Sequence, residues 1–384
     1  GFLNFTASVD WMEKRISLLR NDDMLGVECD SNSRIIVIDY SSPNVAKRMH
    51  VGHLRSTVIG DALNRMLTYK GHTVLPENHI GDWGTPFGML IEHYLEDCDG
   101  EGDIDLLTFY KKAREKFDSD QSFADRSRER VVLLQSRDPE TQELWKVLHD
   151  HSMVEFNKIY ELLGVLLVGE DPWGESRYQS HLPIVLERLE HTGLLERSEG
   201  ADVVFPQGWV NREGNPLPMI IRKADGGFNY SATDLACIIR RVEERECKEI
   251  LYVVGQEQKQ HFEMLFKVAR EAGFMDETIE VEHISFGLVL GDDGKKMASR
   301  GGVSVDLKGV LDDAMGRAKE AIMAKNPDLE DMDNVAEAVG IGAVKYADLS
   351  TERTHNYVFD WDKMLSFEGN TAPYLQYAHA RICS

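Results

Sequence analysis

His50 and His53 stand three residues apart with Gly52 between them, and Lys47 stands three before His50. Two imidazoles at that spacing can both donate to one group of oxygens. The natural target is a phosphate whose negative charge grows during transfer. Gly52 has no Cβ, so a flat ring can approach the backbone closely there. A second loop, from Gly291-Asp292-Asp293-Gly294 through Lys295-Lys296-Met297-Ala298-Ser299-Arg300 to Gly301-Gly302, carries cations between glycines. Such a loop can close over a polyphosphate and bring Lys296 to the transition state. Alone, each loop also reads as a plain surface feature, two ordinary histidines or a solvated hairpin. Their pairing across one α/β unit points to a phosphate site.

A third group looks built for a polar ligand. Tyr230 and Asp234 are four apart at the start of a predicted helix, which puts both side chains on one face. The other reading is a core tyrosine with Asp234 as a surface or capping acid. Gln258 follows the strand that ends at Val254 and faces the same cleft. Asp39 ends the first strand, either as a polar cap or to meet a positive charge on the substrate.

The elements that must hold these residues are legible in outline. Residues 8–20 read as a short amphipathic helix, and Ile35-Ile36-Val37-Ile38 as a buried strand. The loop from Ser41 to His50 leads into a helix over about 54–69, then a strand over 72–78. That order is a βαβ unit and implies a parallel sheet. Helices are expected over about 105–117, 125–137, 139–164 and 181–193, then strands at 203–205 and 219–221. Strand–helix alternation returns with strands at 228–230, 250–254 and 284–290 and helices from about Ala232 and His261; after about Asp306 the chain reads as all-helical. The expected fold is a split Rossmann-like, parallel-sheet nucleotide-binding domain with an inserted α/β subdomain and a following all-helical segment. In residues this gives 1–33 as the tail of an N-terminal domain with its linker, and 34–95 as the first half of the catalytic domain. A mainly helical insertion with a β-rich end covers 96–225, the second half covers 226–305, and the helical segment covers 306–384.

The bulk numbers exclude several classes. No window approaches the roughly 18 apolar residues that span a bilayer. With 43 basic against 66 acidic residues, the net charge of -23 argues against a nucleic-acid binder that uses its whole surface. Five cysteines without a C-x-x-C pair favour a reducing compartment. No metal site is expected. The acidic run from Asp97 imitates a calcium loop but has Thr108 at its twelfth position, and His149 and His151 do not share a helix face.

Together the two loops resemble the HIGH (His50 to His53) and KMSKS (Lys296 to Arg300) signatures of class I aminoacyl-tRNA synthetases. Ser42-Pro43-Asn44-Val45-Ala46-Lys47 and Leu54-Arg55-Ser56-Thr57 around the first loop resemble the arginyl-tRNA synthetase family in particular. So do Asn78-His79-Ile80-Gly81-Asp82-Trp83-Gly84-Thr85, Gly174-Glu175-Ser176, Asp225-Gly226-Gly227-Phe228-Asn229-Tyr230 and the run Glu368 to His379. There are two departures. Ser299 and Arg300 stand where KMSKS ends in Lys-Ser, so its second lysine is absent, and Pro86 stands where the family usually has glutamine.

The resemblance implies activation of L-arginine by ATP, as its Mg2+ complex, and transfer of the arginyl group to the 3′ end of tRNA(Arg). It makes Lys47, His50, His53 and Lys296 catalytic, with Lys47 replacing the missing KMSKS lysine. It gives ATP binding to His50, Gly52, His53, Lys296 and Met297. It gives arginine binding to Ser42, Pro43, Asn44, His53, Tyr230, Asp234, Gln258 and Asp39, with Tyr230 and Asp234 on the guanidinium. The chain has no initiator Met and reads as a fragment, so tRNA is expected to bind mainly through domains missing from it. A cytoplasmic enzyme is expected, with an organellar form left open by the absent N-terminus. The alternative is a synthetase-derived ligase that passes activated arginine to an acceptor other than tRNA.

Overall fold

The computed structural model describes residues 3–45, 47–97, 106–291, 293–297 and 305–384. The acidic run over 98–105 and the Ser299-Arg300 end of the second loop lie outside them. The chain opens with an exposed helix, α1 (Val9–Arg20), whose N-terminus is capped by Ser8. Next come β1 (Ile35–Asp39), α2 (Val51–Tyr69) and β2 (Thr73–Glu77). Then come α3 (Thr85–Asp97), at the end of the expected first half, and α4 (Leu106–Ser119), α5 (Gln121–Gln135), α6 (Pro139–Leu163) and α7 (Leu182–His191) in the expected insertion. It closes with a small antiparallel sheet of β3 (Glu196–Ser198), β4 (Ala201–Val204) and β5 (Met219–Arg222).

The second half brings α8 (Tyr230–Ile239), β6 (Glu249–Tyr252), α9 (Lys259–Glu271) and β7 (Glu280–His283). Strands β2, β1, β6 and β7 lie side by side in that order, all parallel. The chain therefore moves outward from β1 to β2 in one direction, and from β6 to β7 in the other. The β1–β6 boundary is the point where the winding reverses, and ligands of such sheets bind in the crevice beyond it.

Strand β1 explains why the sheet is covered on both faces. Ile36 and Ile38 pack with Leu54, Val58 and Ile59 of α2, while Val37 packs with Leu235 and Ile238 of α8 and Leu265 of α9. Ile36, Val37 and Ile38 are each fully buried, and burying such a side chain contributes about 1.5–3 kcal/mol. A run without polar alternation is what a doubly covered parallel strand needs.

Three sequence expectations are corrected. Phe228 to Tyr230 is not a strand: Phe228 makes a single bridge to Arg222, and Tyr230 already starts α8. The run 284–290 follows the main sheet only at its start, where Ile284 N–H donates to Tyr252 C=O and Phe286 bridges Gly255, and then leaves it. It ends in a two-residue strand, β8 (Val289–Leu290). After α10 (Leu307–Lys325) and α11 (Met332–Leu349) the all-helical reading is interrupted by β9 (Tyr357–Val358), which pairs in parallel with β8. Two short helices, α12 (Trp361–Met364) and α13 (Ala372–Cys383), complete the described chain. Two-residue strands bury too little side chain to leave a periodic signal.

Candidate active site

The two cation-bearing loops meet. The Val51 N–H donates to Val305 C=O and the Leu307 N–H to Met49 C=O, both at 2.9 Å. These bonds join the start of α2 to the segment that follows the second loop. The second loop itself begins as a hairpin, closed by Gly291 N–H donating to Lys295 C=O, with Gly294 in the left-handed region at φ +70°. His50, Gly52, Arg55, Phe286, Gly287 and Lys296 line one cavity between them. Met297 donates its N–H to Val289 and packs its side chain on the core.

The histidines do not act as cations. His50 caps α2, its Nδ1 accepting the Gly52 N–H at 3.1 Å, while His53 Nδ1 accepts the His50 N–H at 3.0 Å. Burial pushes the His53 pKa down to about 3, helped by His50. Burial, then Lys296 and Lys47, also lower that of His50. Both rings are therefore neutral at pH 7. The imidazoles thus add no positive charge, and the first N–H groups of α2 are not free. The N–H groups of Val51, Gly52 and His53 go to Val305 C=O, the His50 ring and His50 C=O. Gly52 is needed for a different close approach than expected, since a Cβ there would lie 2.8 Å from the His50 ring. Lys47 reaches 4.9 Å from the centre of the Tyr110 ring.

Beyond the ends of β1 and β2 a second cluster forms. Ser41 and Ser42 both have positive φ, at 71° and 45°. That costs roughly 1–3 kcal/mol per residue. It is held by Ser42 N–H donating to Asn78 Oδ1 at 3.0 Å and Ser42 Oγ donating to Asp39 Oδ1 at 2.8 Å. Pro43 C=O accepts from Gly81, and Asn44 is left exposed beside Gly81. Asp39 is not free for a substrate cation, because Arg241 Nη2 donates to its Oδ2 at 2.6 Å. Arg241 and Arg240 also donate to Glu77, at 2.8 and 2.6 Å, and Arg240 lies 3.7 Å from the centre of the Trp173 ring. Burial disfavours a charged Glu77, but the two guanidinium groups outweigh it and lower its pKa. This buried network ties the ends of β1 and β2 to the π-helical turn, Arg240–Glu244, that follows α8. Sequence reasoning missed it, because Arg-Arg-Val-Glu-Glu reads as a solvated helix face.

The network aims α8 at the cleft. Tyr230 is 58% exposed, so the core reading fails, and the cap of α8 is Asn229, so Asp234 is not a capping acid. Asp234 Oδ2 lies 2.7 Å from His261 Nε2, and the His261 ring contacts Tyr230 edge-on. Gln258 is exposed, one turn before His261. Two stretches far apart in sequence dock here. Glu175 N–H donates to Ile80 C=O, and Ser176 donates to Asp82 through N–H at 2.8 Å and Oγ at 2.6 Å. Burial pushes Glu175 up to about 7; His79 opposes this, and Asp234 and Asp82 add to it. Glu175 shares a pocket with Tyr230, Phe228 and Thr233. Sequence reasoning quoted Glu175 only inside a motif, and a buried acid close to Asp234 gives no spacing signal.

The family described as "tRNA synthetases class I (R), catalytic domain" matches residues 15–361. An arginine–tRNA ligase of Thermobifida fusca is 50% identical over 391 residues, covering all of this chain and 68% of its own length. One of Nostoc sp. is 46% identical over 396 residues, with all of this chain and 67% of its own length covered. The arginyl-tRNA synthetase of Plasmodium falciparum superposes with a TM-score of 0.81 at 29% identity, over 98% of this chain and 65% of that one. The chain thus spans about two-thirds of the length of the curated relatives it matches. The paired loops at the winding reversal and the acidic cleft beside them are features of one catalytic domain, and with that match the chain belongs to the arginyl-tRNA synthetase family of class I tRNA synthetases.

Proposed function

We propose that this chain activates L-arginine with Mg-ATP and passes the arginyl group to the 3′ end of tRNA(Arg). The observation that carries this reading is the clamp of Val51 to Val305 and of Leu307 to Met49, beside which His50 and Lys296 line one cavity and His53 is bonded to His50. In the first step an arginine carboxylate oxygen attacks the α-phosphorus in line, the bond to the bridging oxygen breaks, and Mg-pyrophosphate leaves. The chain's part is positioning and electrostatics. Neutral His50 and His53 donate from Nε2 to phosphate oxygens, and Lys296 and Lys47 supply the charge. Gly52 and Met297 shape the nucleotide side. In the second step a terminal ribose hydroxyl of tRNA attacks the arginyl carbonyl and AMP leaves.

For the amino acid, Asp234 and Tyr230 take the guanidinium, since a carboxylate matches it in bidentate fashion. Glu175 sits close enough to add a second acid. Ser42, Pro43, Asn44, Gln258 and His53 surround the α-amino and carboxylate end. Asp39 acts through Ser42, its charge being balanced by Arg241. The catalytic halves 34–95 and 226–305, the insertion 96–225 and the helical segment 306–384 follow from this reading. The chain's net charge of -23 supports the reading that tRNA phosphates are not gripped mainly by this chain's surface. Four free cysteines among the described residues suit a reducing, cytoplasmic setting, and no described helix is long and apolar enough to cross a membrane. The test is ATP–pyrophosphate exchange with arginine and tRNA, followed by tRNA charging. Exchange that depends on arginine, with charging of tRNA(Arg), is expected. Exchange indifferent to arginine overturns the substrate, and exchange without charging points to another acceptor.

A further inference from the structure

His79, Asp234 and Cys237 come from the loop after β2 and from one face of α8, where positions 234 and 237 are three apart. Their donor atoms all lie within 4.8 Å of one another, the one such group among the described residues. His79 Nε2 is 4.0 Å from Asp234 Oδ1 and 3.9 Å from Cys237 Sγ. The ring's other nitrogen, Nδ1, is 3.3 Å from Trp173 C=O and 3.6 Å from Cys237 Sγ. In the tautomer that donates from Nδ1 to that carbonyl, Nε2 can turn its lone pair to an ion, as metal-binding histidines commonly do. The second Asp234 oxygen is held by His261 at 2.7 Å, so an outer partner also orients the carboxylate. A tetrahedral zinc-type ion needs its nitrogen, oxygen and sulfur donors about 3.3–3.7 Å apart. Small side-chain rotations close the remaining gap.

We propose that His79 Nε2, Asp234 Oδ1 and Cys237 Sγ form a three-donor site for a zinc-class divalent ion, and that its occupation competes with arginine. The donor set combines imidazole, thiolate and carboxylate, which suits zinc or cobalt and not magnesium or calcium. Competition rests on the reading that Asp234 holds the guanidinium. An ion on Oδ1 neutralises that carboxylate and occupies the space the guanidinium needs.

The probe is Co2+, titrated into the purified, metal-free protein. The expected result is a thiolate-to-cobalt charge-transfer band with the visible absorption of a four-coordinate ion. Both disappear in Cys237→Ala, which retains arginine-dependent exchange measured without the ion. Cys237→Ser serves the same purpose if the alanine variant does not fold. L-Arginine at ten times its own Kd should weaken cobalt binding about tenfold, and Zn2+ should raise KM for arginine while leaving kcat unchanged. Absence of the band, or a band that survives both Cys237 variants, as binding at His379 and Cys383 would give, overturns the site. A band that requires Cys237 but ignores arginine keeps the metal site and overturns the guanidinium assignment to Asp234.

Discussion

His53 accepts the backbone N–H of His50 on its Nδ1, at 3.0 Å. A ring nitrogen that accepts a hydrogen bond carries no proton, and His50 Nδ1 is occupied likewise by Gly52. With both pKa values lowered, each ring is neutral and has its one proton on Nε2. The helix cap thus fixes the tautomer that a phosphate donor requires. Under the proposed function the two roles of each ring separate by atom, Nδ1 for the cap and Nε2 for the substrate.

That separation can be read by substitution. His53→Asn keeps an acceptor near the Nδ1 position and removes the Nε2 donor. Its stability should stay near wild type while adenylate formation falls by about 10²–10³-fold. His53→Gln offers an amide near Nε2 and loses the cap, so it should retain more activity and less stability. Pyrophosphate exchange and urea unfolding on both variants check this. Equal losses of activity in the two would remove the donor role.

The same ring makes stability depend on pH. The His53 pKa falls from 6.5 to about 3 on folding, so between those values the unfolded chain binds the extra proton. The stability gained by keeping the ring neutral is therefore present above pH 6.5 and lost as pH falls through that window. At most this is about 1.4 kcal/mol per pH unit, one proton's worth. In urea unfolding between pH 7 and 5, His53→Asn should lose less stability than wild type. Parallel slopes would show that His53 ionises freely in the folded chain.

How much of this was legible depends on where the signal lies. The first loop was readable as an element because a strand, a glycine and a helix start follow one another locally between Ile35 and Leu54. The i, i+4 pair Tyr230 and Asp234 was readable for the same reason. The cleft's other members were not. Glu77 and Arg241 are 164 positions apart, and Glu175 meets Ile80 only after the insertion has folded back. His79 with Cys237 is also such a case. Long-range partners leave no period in a single sequence. Likewise β8 and β9 pair over just two residues each, too few for alternation to appear.

Asp234→Asn preserves the shape of the pocket and removes its charge. Loss of one partner of a buried charged pair should cost arginine about 3–5 kcal/mol of binding. Citrulline is uncharged and should lose much less. Calorimetric titration with both ligands decides this. If arginine binds the variant as well as wild type, Glu175 becomes the acid to replace next.

Lys47 and Lys296 both act on His50. Lys47→Ala should therefore slow activation sharply, with the arginine KM little changed. Ser299 lies outside the described residues, yet its loop starts from Lys296 at the same cavity. In a Lys47→Ala/Ser299→Lys variant the restored cation should recover part of the rate. Strictly additive losses in single-turnover adenylate formation would count against exchange of charge between the two loops.

The last prediction concerns what holds the catalytic helix in place. Arg55 sits two residues after His53 on α2 and is fully buried, with its Nε donating to Asp348 of α11 at 3.1 Å and its Nη1 donating to His355 C=O at 2.9 Å. Its guanidinium also lies 5.3 Å from the centre of the Tyr357 ring in β9. So α2 is tied by one side chain to the segment that carries β9, and β9 pairs with the strand leading into the second loop. The pair is held by one hydrogen bond: Arg55 Nη2 and Asp348 Oδ2 are buried without a hydrogen-bond partner among the described residues. Such a pair adds little net stability compared with apolar packing, but breaking it leaves a naked buried charge. Asp348→Ala should thus cost about 3–5 kcal/mol, and Arg55→Met/Asp348→Leu should recover most of it. Activity should not follow stability. The double variant restores packing but not the bond to His355, so its two loops lose their shared anchor, and exchange should stay slow in a protein that melts near the wild-type temperature. Full activity in that double variant would show that Arg55 serves the core alone and that the bonds at Val305 and Leu307 suffice to align the loops.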